Sequence, residues 1–324
     1  MMPRLLLTEA SAYPSAAIAR LEREFEVIKL EITSATDMVD AVRIHQPKVL
    51  IVGLAVEVSP QVIGASKELG MVVCAATGTD HIDTSELSRR NIRLVTLRER
   101  THLLRDVSST AELAWALLLA LARGLVVAHH DVREGNWNRA DHLGSQLRGK
   151  TLAVIGVGRL GSLVAGYGAA FGMEVLGVDP MKHSDPDRVL MVTQDEAFRR
   201  ADAVSLHVPM SKDTRHLVNE EFLNLSRPGL LLVNTSRGEI VDEHAVARAI
   251  VDGRLGGYGT DVIANDASWA GQVRSNEITP LIDRGYNVVA TPHIGGYTRE
   301  AIVETRTIIV DALLHEYQSL KTAQ

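Results

Sequence analysis

Arg237 and His293 stand 56 positions apart, each just past an apolar run that reads as a β-strand. Arg237 follows Leu230-Leu231-Leu232-Val233-Asn234-Thr235-Ser236 and precedes Gly238; His293 lies in Val288-Val289-Ala290-Thr291-Pro292-His293-Ile294-Gly295-Gly296. A guanidinium grips a carboxylate through two hydrogen bonds and polarises a neighbouring carbonyl. An imidazole moves protons near neutral pH. Upstream, the strand-like Leu152-Ala153-Val154-Ile155 leads into Gly156-Val157-Gly158-Arg159-Leu160-Gly161. Together these residue types suit an arginine that holds an acid, a histidine that transfers a proton and a dinucleotide that carries hydride.

The three glycines have distinct mechanical roles in that reading. Gly156 permits a tight turn, Gly158 lets a pyrophosphate approach the backbone, and Gly161 lets a helix pack on its strand. The free amides at the helix N-terminus then face the phosphates. A bare glycine pattern is weak evidence, but this one has a strand before it and a helix after it. Asp179 ends the next strand, 18 residues past Gly161. Its carboxylate would accept hydrogen bonds from ribose hydroxyls and repel a 2′-phosphate, which favours NAD over NADP; Lys182 nearby tempers that preference.

Each residue also has a plainer reading. Arg237 alone could be a surface ion pair at a strand end. His207, in Val204-Ser205-Leu206-His207-Val208-Pro209, ends a strand too and rivals His293 as the proton carrier. His81, flanked by Asp80 and Asp83, hints at a metal, but the three do not share one face of a helix or strand, so no metal is expected. Cys74 is the single cysteine and sits in the apolar run Met71-Val72-Val73-Cys74-Ala75-Ala76, which excludes an internal disulfide and reads as a buried thiol.

The elements that must position these residues alternate strand and helix. Strands are expected at Arg4-Leu7, Glu26-Leu30, Val49-Val52, Met71-Ala75 and Arg93-Val95, with helices near Ser15-Glu24, Ala35-His45, Ser59-Leu69 and Thr84-Arg90. A second series has strands at Thr151-Gly156, Glu174-Val178, Ala203-His207, Leu230-Asn234, Gly257-Asp261 and Asn287-Ala290. Alternation of this kind implies parallel sheets covered on both faces. Between the series, Ser109-Thr110-Ala111-Glu112 has capping-box spacing, with Ser109 facing Glu112, and Arg123-Gly124 ends the helix. Leu113 to Leu121 is apolar nearly all round, so the helix is expected between two domains or in a subunit interface. The helix from Thr298 to about Leu320 is expected to cross back to the first domain.

A chain of 324 residues suits two domains, and 46% hydrophobic content supplies two cores. The net charge of −6 gives no basic footprint for nucleic acid. No stretch approaches a membrane span, and the apolar run Leu5-Leu6-Leu7 is too short for a signal peptide. A soluble, cytoplasmic protein is expected.

The chain resembles the D-isomer-specific 2-hydroxyacid dehydrogenases over nearly its whole length. The resemblance rests on the glycine loop with Asp179, Ser205-Leu206-His207-Val208-Pro209 with Thr214, and Asn234-Thr235-Ser236-Arg237-Gly238 with Val241-Asp242. Gly259-Thr260-Asp261-Val262 and Thr291-Pro292-His293-Ile294-Gly295-Gly296 complete it. It implies two doubly wound parallel-sheet α/β domains with an active-site cleft between them. A flavodoxin-like substrate domain would span 1–98, completed by a return helix within 297–324, and a Rossmann NAD-binding domain would span 99–296.

The resemblance further implies that Arg237 is catalytic and that His293 is the acid/base. Gly156, Gly158, Arg159, Leu160, Gly161, Asp179, His207, Val208, Pro209, Thr214, Thr235, Ser236, Arg237, His293 and Gly295 would line the cofactor. Thr110 would sit beside the nicotinamide, and Asp261 would contact its carboxamide. Backbone amides around Thr77 and Gly78 would hold the substrate carboxylate. Relatives pair as homodimers through the cofactor domain. The implied activity is hydride transfer between NAD(H) and a D-2-hydroxy acid or its 2-oxo acid. The alternative is an NAD(H)-sensing interaction or regulatory protein with little turnover.

Two departures stand out. The family places a glutamate five residues past the strand-ending aspartate, where this chain has Asp266. The shorter side chain would stand farther from His293 unless its loop shifts inward; otherwise Glu277 or a water fills the role. The usual proline-containing stretch before the long helix is replaced by arginine-rich Leu97-Arg98-Glu99-Arg100-Thr101-His102-Leu103-Leu104-Arg105-Asp106. Arg100 and Arg105 are therefore expected to read a second anionic or strongly polar group on the substrate, against the plainer reading of a solvated loop.

Overall fold

The structure is a computed structural model that describes residues 2–182, 189–266, 272–273 and 275–322. The chain divides into two compact units. One runs through Val107 and resumes at Thr298, with 272–273 belonging to it; the other runs from Ser108 to Asp266 and ends at Tyr297.

The first unit is built from β1 (Arg4–Leu7), α1 (Ser15–Leu21), β2 (Glu26–Lys29), α2 (Ala35–His45), β3 (Val49–Val52), α3 (Pro60–Gly64), β4 (Met71–Cys74), α4 (Thr84–Arg89) and β5 (Arg93–Thr96). The strands are all parallel in the order β2-β1-β3-β4-β5, the flavodoxin-like arrangement. Successive side chains point to opposite faces of a strand. Leu5, Leu7, Ile51 and Val73 therefore enter one core, while Leu6, Leu50, Val52 and Val72 enter the other. With both faces covered, β3 and β4 are buried at every residue. Helix starts carry their caps: Ser34 accepts from the Asp37 amide and Asp83 from the Glu86 amide.

The unit ends after Val107, not at residue 98. Leu97, Leu104 and Val107 are buried in the same core as Leu5 and Tyr13, so the arginine-rich stretch belongs to this unit.

The second unit comprises α5 (Ser109–Arg123), α6 (Leu125–Arg133), β6 (Thr151–Ile155), α7 (Arg159–Ala170), β7 (Glu174–Val178), β8 (Leu190–Met191), α8 (Gln194–Arg200), β9 (Ala203–Leu206), α9 (Glu220–Leu225), β10 (Leu230–Asn234), α10 (Glu243–Val251), β11 (Leu255–Thr260), α11 (Thr279–Asp283) and β12 (Val288–Ala290). Its sheet is parallel throughout, in the order β12-β11-β10-β9-β6-β7-β8. The order reverses between β9 and β6, the doubly wound switch point.

The start of the apolar helix α5 differs from expectation by one residue. The helix covers its own unit's sheet, packing on β10, β11, β12 and α7, with Ala111, Trp115, Leu118 and Ala122 buried in that core. Its cap is Ser108, whose hydroxyl donates to Glu112 at 2.5 Å; Ser109 is buried inside the first turn. Burial of the serine expected at the cap shifts the helix start by one residue. After Gly124 the chain bends by 65° into α6. Among the described residues, no single helix is long and apolar enough to cross a membrane.

The last helix, α12 (Arg299–Thr322), returns to the first unit, where it packs on α1, β4 and β5. Ile309, Leu313 and Tyr317 enter the core there, and the Tyr317 ring lies 4.5 Å from that of Phe25.

Candidate active site

The strand ends of β10, β11 and β12 lie side by side, with Asn234 opposite Thr260 and Thr260 opposite Ala290. Arg237, Asp261 and His293 follow within three residues of those ends, so the sheet delivers all three to one edge. Ligands bind at this carboxyl edge in open α/β sheets. Asn234 is fully buried and organises the first turn. Its side-chain amide donates to the Arg237 carbonyl and its side-chain oxygen accepts from the Ser236 amide. Its backbone carbonyl accepts from the Asp261 amide. Ser236 donates to the Leu206 carbonyl, tying this turn to the end of β9. Arg237 is half-buried, and its guanidinium donates to the Ser236 carbonyl at 2.7 Å. Gly238 is required here: a Cβ would fall 2.1 Å from the Ala264 amide nitrogen.

Asp261 is buried and holds the next loop. One carboxylate oxygen accepts from the Thr291 hydroxyl at 2.6 Å and the Ile294 amide at 2.8 Å, the other from the Gly295 amide at 2.7 Å. Burial raises its pKa, and these three donors together with His293 oppose the rise. The loop they fix sets His293 in the left-handed region, at φ 55°. That backbone is uncommon for a non-glycine residue and costs free energy, which the surrounding hydrogen bonds must offset. Thr110 lies against the same loop, since a Cβ on Gly295 would sit 3.1 Å from its methyl group.

His293 Nδ1 lies 3.0 Å from a carboxylate oxygen of Asp266, with both side chains partly exposed. Two acids hold the loop that carries Asp266. Glu243 accepts from the Ala264 amide, Glu239 accepts from the Asn265 amide, and Asn265 turns left-handed at φ 62°. Glu277, the other candidate carboxylate, faces His244 instead. Burial raises the Glu243 pKa, with Glu239, Asp266 and Glu277 adding to the effect.

The rival histidine is disposed differently. The His207 ring bonds the Ser205 hydroxyl at 2.8 Å, and burial pushes its pKa down to about 4. It is therefore neutral at pH 7 and no store of protons.

The glycine loop has the shape that a pyrophosphate needs. Gly156 turns at φ 90°, and a Cβ there would meet the His207 carbonyl oxygen at 2.6 Å. A Cβ on Gly161 would meet the Gly156 oxygen at 1.9 Å, so the third glycine sets the strand–helix contact. Gly158 has open space beside it and caps α7, whose first-turn amides have no helical acceptor. Asp179 accepts from the Val157 and Met181 amides, which fixes the carboxylate at the end of β7 beside the loop. Thr235 adds a buried hydroxyl with no partner among the described residues. Pro209 and Thr214 belong to one turn, the Thr214 hydroxyl donating to the Pro209 carbonyl at 2.7 Å. These features fit a bound dinucleotide.

Residues 115–295 match the NAD binding domain of the D-isomer specific 2-hydroxyacid dehydrogenases. A hydroxypyruvate reductase of Thermotoga maritima is 34% identical over 84% of this chain and 86% of its own length. The chain belongs to the D-isomer specific 2-hydroxyacid dehydrogenases. It is an NAD-dependent enzyme of that family, and NAD is its cofactor. A D-3-phosphoglycerate dehydrogenase of Synechocystis is also 34% identical, over 80% of this chain but 45% of the relative, so the chain spans about half of that protein. The structure superposes with a TM-score of 0.83 on a D-lactate dehydrogenase of Aquifex aeolicus complexed with NAD and lactic acid. That protein is 26% identical, with 98% of this chain and 96% of that chain covered.

The expected substrate-binding residues Thr77, Gly78, Arg100 and Arg105 lie in the first unit. Thr77 and Gly78 follow β4 in an exposed turn. The bonds that close the turn run from Val58 N to His81 O, Ile82 N to Thr79 O and Leu97 N to Ala76 O, and use neither the Thr77 nor the Gly78 amide. Arg100 is engaged elsewhere: its guanidinium reaches Glu316 at 3.3 Å and the Thr96 carbonyl at 3.1 Å. Arg105 is exposed. His81 is buried against Cys74, Nε2 to Sγ 3.7 Å. Sequence reasoning missed Asn234 and the loop-holding role of Asp261. The available signal was polarity: Asn234 ends an otherwise apolar strand and Asp261 directly follows another buried one, where a buried polar group must have partners.

Two outcomes are expected. Asp179→Ala should narrow the preference for NADH over NADPH in kcat/KM without abolishing NADH binding, because the glycine loop still holds the pyrophosphate; an unchanged ratio would refute the ribose role. For His207, the folded pKa lies below the unfolded value of about 6.5, so the unfolded chain binds more protons between the two. Stability from this group is complete above pH 6.5 and drains away as pH falls toward 4. The fall in Tm between pH 7 and pH 4.5 should therefore be smaller in His207→Asn than in the parent.

Proposed function

We propose that this dehydrogenase reduces a small 2-oxo acid to the D-2-hydroxy acid and runs the reverse reaction, with Arg237, His293 and Asp266 in the catalytic roles. The observation that carries the reading is the His293 Nδ1 to Asp266 distance of 3.0 Å. With Nδ1–H donating to the carboxylate, Nε2 is the nitrogen available to the substrate oxygen. Asp266 favours the imidazolium electrostatically and fixes the ring plane. In reduction, protonated His293 gives its proton to the C2 oxygen as the carbonyl becomes a hydroxyl. Arg237 binds the substrate carboxylate and stabilises the charge developing on the oxygen; a well-aimed donor contributes roughly 3–4 kcal/mol in such a role. NAD, when bound, supplies or accepts the hydride at C2. Thr110, against the His293 loop, would border the nicotinamide.

A panel of 2-oxo acids followed by NADH absorbance tests the assignment. Sustained turnover excludes the NAD-sensing alternative. His293→Ala should lower the rate by ~10²–10⁴-fold, and His207→Asn by clearly less; the reverse ranking would overturn the choice of histidine. Reduction needs the imidazolium, so its kcat/KM should fall as pH rises, while oxidation should rise. Asp266→Asn removes the charge that favours the imidazolium and should move the fall in the reduction profile to lower pH. An unchanged profile would show that Asp266 is not the partner.

The second unit also presents Leu125, Val126, Val132, Trp137 and Leu143 to solvent, Leu143 at 97% and Trp137 at 89% exposure. Such apolar exposure favours a covering partner, and a second copy of this chain, paired through the NAD-binding unit, is the reading that the family resemblance supports. Sedimentation should give a dimer and Leu143→Glu should weaken it; a monomeric parent would refute the pairing. A cytoplasmic location accords with the single buried Cys74.

A further inference from the structure

Residues 237–243 connect the turn after β10 to the first residue of α10. Backbone bonds fasten this segment to residues 216–218. The His216 amide donates to the Glu239 carbonyl, the Val218 amide to the Ile240 carbonyl, and the Asp242 amide in return to the Val218 carbonyl. Two acids, Glu239 and Glu243, stand on this fixed base. Neither caps the helix that follows. Asp242 does that, accepting from the Ala245 amide at 3.1 Å. The Glu243 carboxylate turns instead to the loop after β11, where it accepts from the Ala264 amide at 2.8 Å. Glu239 accepts from the next amide, that of Asn265, at 3.1 Å.

The gripped loop has little slack. The Thr260 hydroxyl accepts from the Val262 amide and donates to the Val262 carbonyl, Ile263 is buried, and the Asp266 amide closes a turn onto the Ile263 carbonyl. Gly238 lies under the loop, since a Cβ there would fall 2.2 Å from the Ile263 carbonyl carbon. Asn265 takes a left-handed backbone at φ 62°. Asp266 comes next, and its carboxylate meets His293 Nδ1 at 3.0 Å. Two successive amides, each held by a carboxylate, therefore set the direction in which Asp266 leaves the loop.

The arrangement gathers like charges. Burial raises the Glu243 pKa, the Ala264 bond opposes the rise, and repulsion from Glu239, Asp266 and Glu277 adds to it. Asn265 is exposed and Ala264 only half-buried, so water could satisfy both amides without this repulsion. What carboxylates add is strength and direction, because a bond to an ionised acceptor is shorter and stronger than a neutral one. Fixed geometry has a use beside a group that transfers protons, where a misplacement of about 1 Å can cost ~10²-fold in rate.

We propose that Glu243 and Glu239 are positioning residues for proton transfer: by gripping the Ala264 and Asn265 amides they hold the Asp266 carboxylate where it orients the His293 ring. This rests on the reading of His293 as the acid/base and Asp266 as its partner. The same short segment begins with Arg237, so the placement of the arginine and of the histidine's partner is linked through one piece of backbone.

NADH-linked reduction tests it, with whichever of glyoxylate, pyruvate, hydroxypyruvate and oxaloacetate the parent reduces best. The variants are Glu243→Ala, Glu243→Gln, Glu239→Ala and Asp266→Ala, with Glu243→Ala and Glu239→Ala each also combined with Asp266→Ala; Tm is measured beside the kinetics. Glu243→Ala should lower kcat about tenfold, leave KM for the 2-oxo acid and for NADH within about twofold, and move the fall of the reduction kcat/KM to lower pH. Glu243→Gln keeps an oxygen that accepts from Ala264 and should recover kcat to within about threefold of the parent. In the Asp266→Ala background, Glu243→Ala should cost less than about twofold more, because no carboxylate is left to place; independent effects would multiply. Should Glu243→Ala fail to fold, Glu239→Ala in the same two backgrounds decides. Multiplying effects, no recovery in Glu243→Gln or an unmoved pH profile would overturn the proposal. A parental rate and profile in Asp266→Ala would overturn the histidine–aspartate pair and the positioning role with it. Impairment in Asp266→Ala beside unimpaired Glu243→Ala and Glu239→Ala would overturn the positioning role alone.

Discussion

The carboxylate of Asp261, buried at the end of β11, accepts hydrogen bonds from Thr291, Ile294 and Gly295, while its backbone amide reaches back to Asn234 on β10. Three adjacent strand ends are joined through one residue. A buried carboxylate is costly without such donors, so the loop and the acid depend on one another: the acid requires the three donors, and the donors require the loop to close as it does. The left-handed backbone at His293 follows from that closure. Removing the acid would release the loop and with it the position of the imidazole.

The pairing of His293 with an aspartate in place of the family's glutamate follows the same pattern. The aspartate carboxylate reaches the imidazole from a loop whose Ala264 and Asn265 amides are held by Glu243 and Glu239. Those two acids lie at the start of α10 and in the turn before it, and Gly238 makes room for the loop by lacking a Cβ. Positioning is thus shared among groups that never touch the imidazole.

The histidines show how little residue type decides by itself. His207 and His293 both end strands of the same sheet. One ring is buried against Ser205 and held neutral, while the other is partly exposed and backed by a carboxylate. For His207 the deciding influence is desolvation, which lowers its proton affinity.

Much of this protein was legible in its sequence because the relevant constraints are local. Apolar runs such as Val49–Val52 and Met71–Cys74 dictate buried parallel strands, and Ser34 or Asp83 before a helical run dictates its start. The glycine loop is readable because each glycine answers a short-range steric demand that a Cβ would violate. What the sequence could not show depends on approach between distant segments. The cap of α5 fell on Ser108 because the packing of α5 on its own sheet decided which serine is buried. The arginine-rich stretch read as a substrate-reading or solvated loop beyond a boundary at residue 98, yet Leu97, Leu104 and Val107 complete the first core. Glu9, Gly53, Tyr13 and Arg306 are scattered over nearly the whole chain, and no spacing rule links them; only the return of α12 to the first sheet brings them to one corner. Hydrogen bonding and sterics within a few residues are written in the sequence, whereas charge pairing across long separations exists only once the sheets and helices have closed around it.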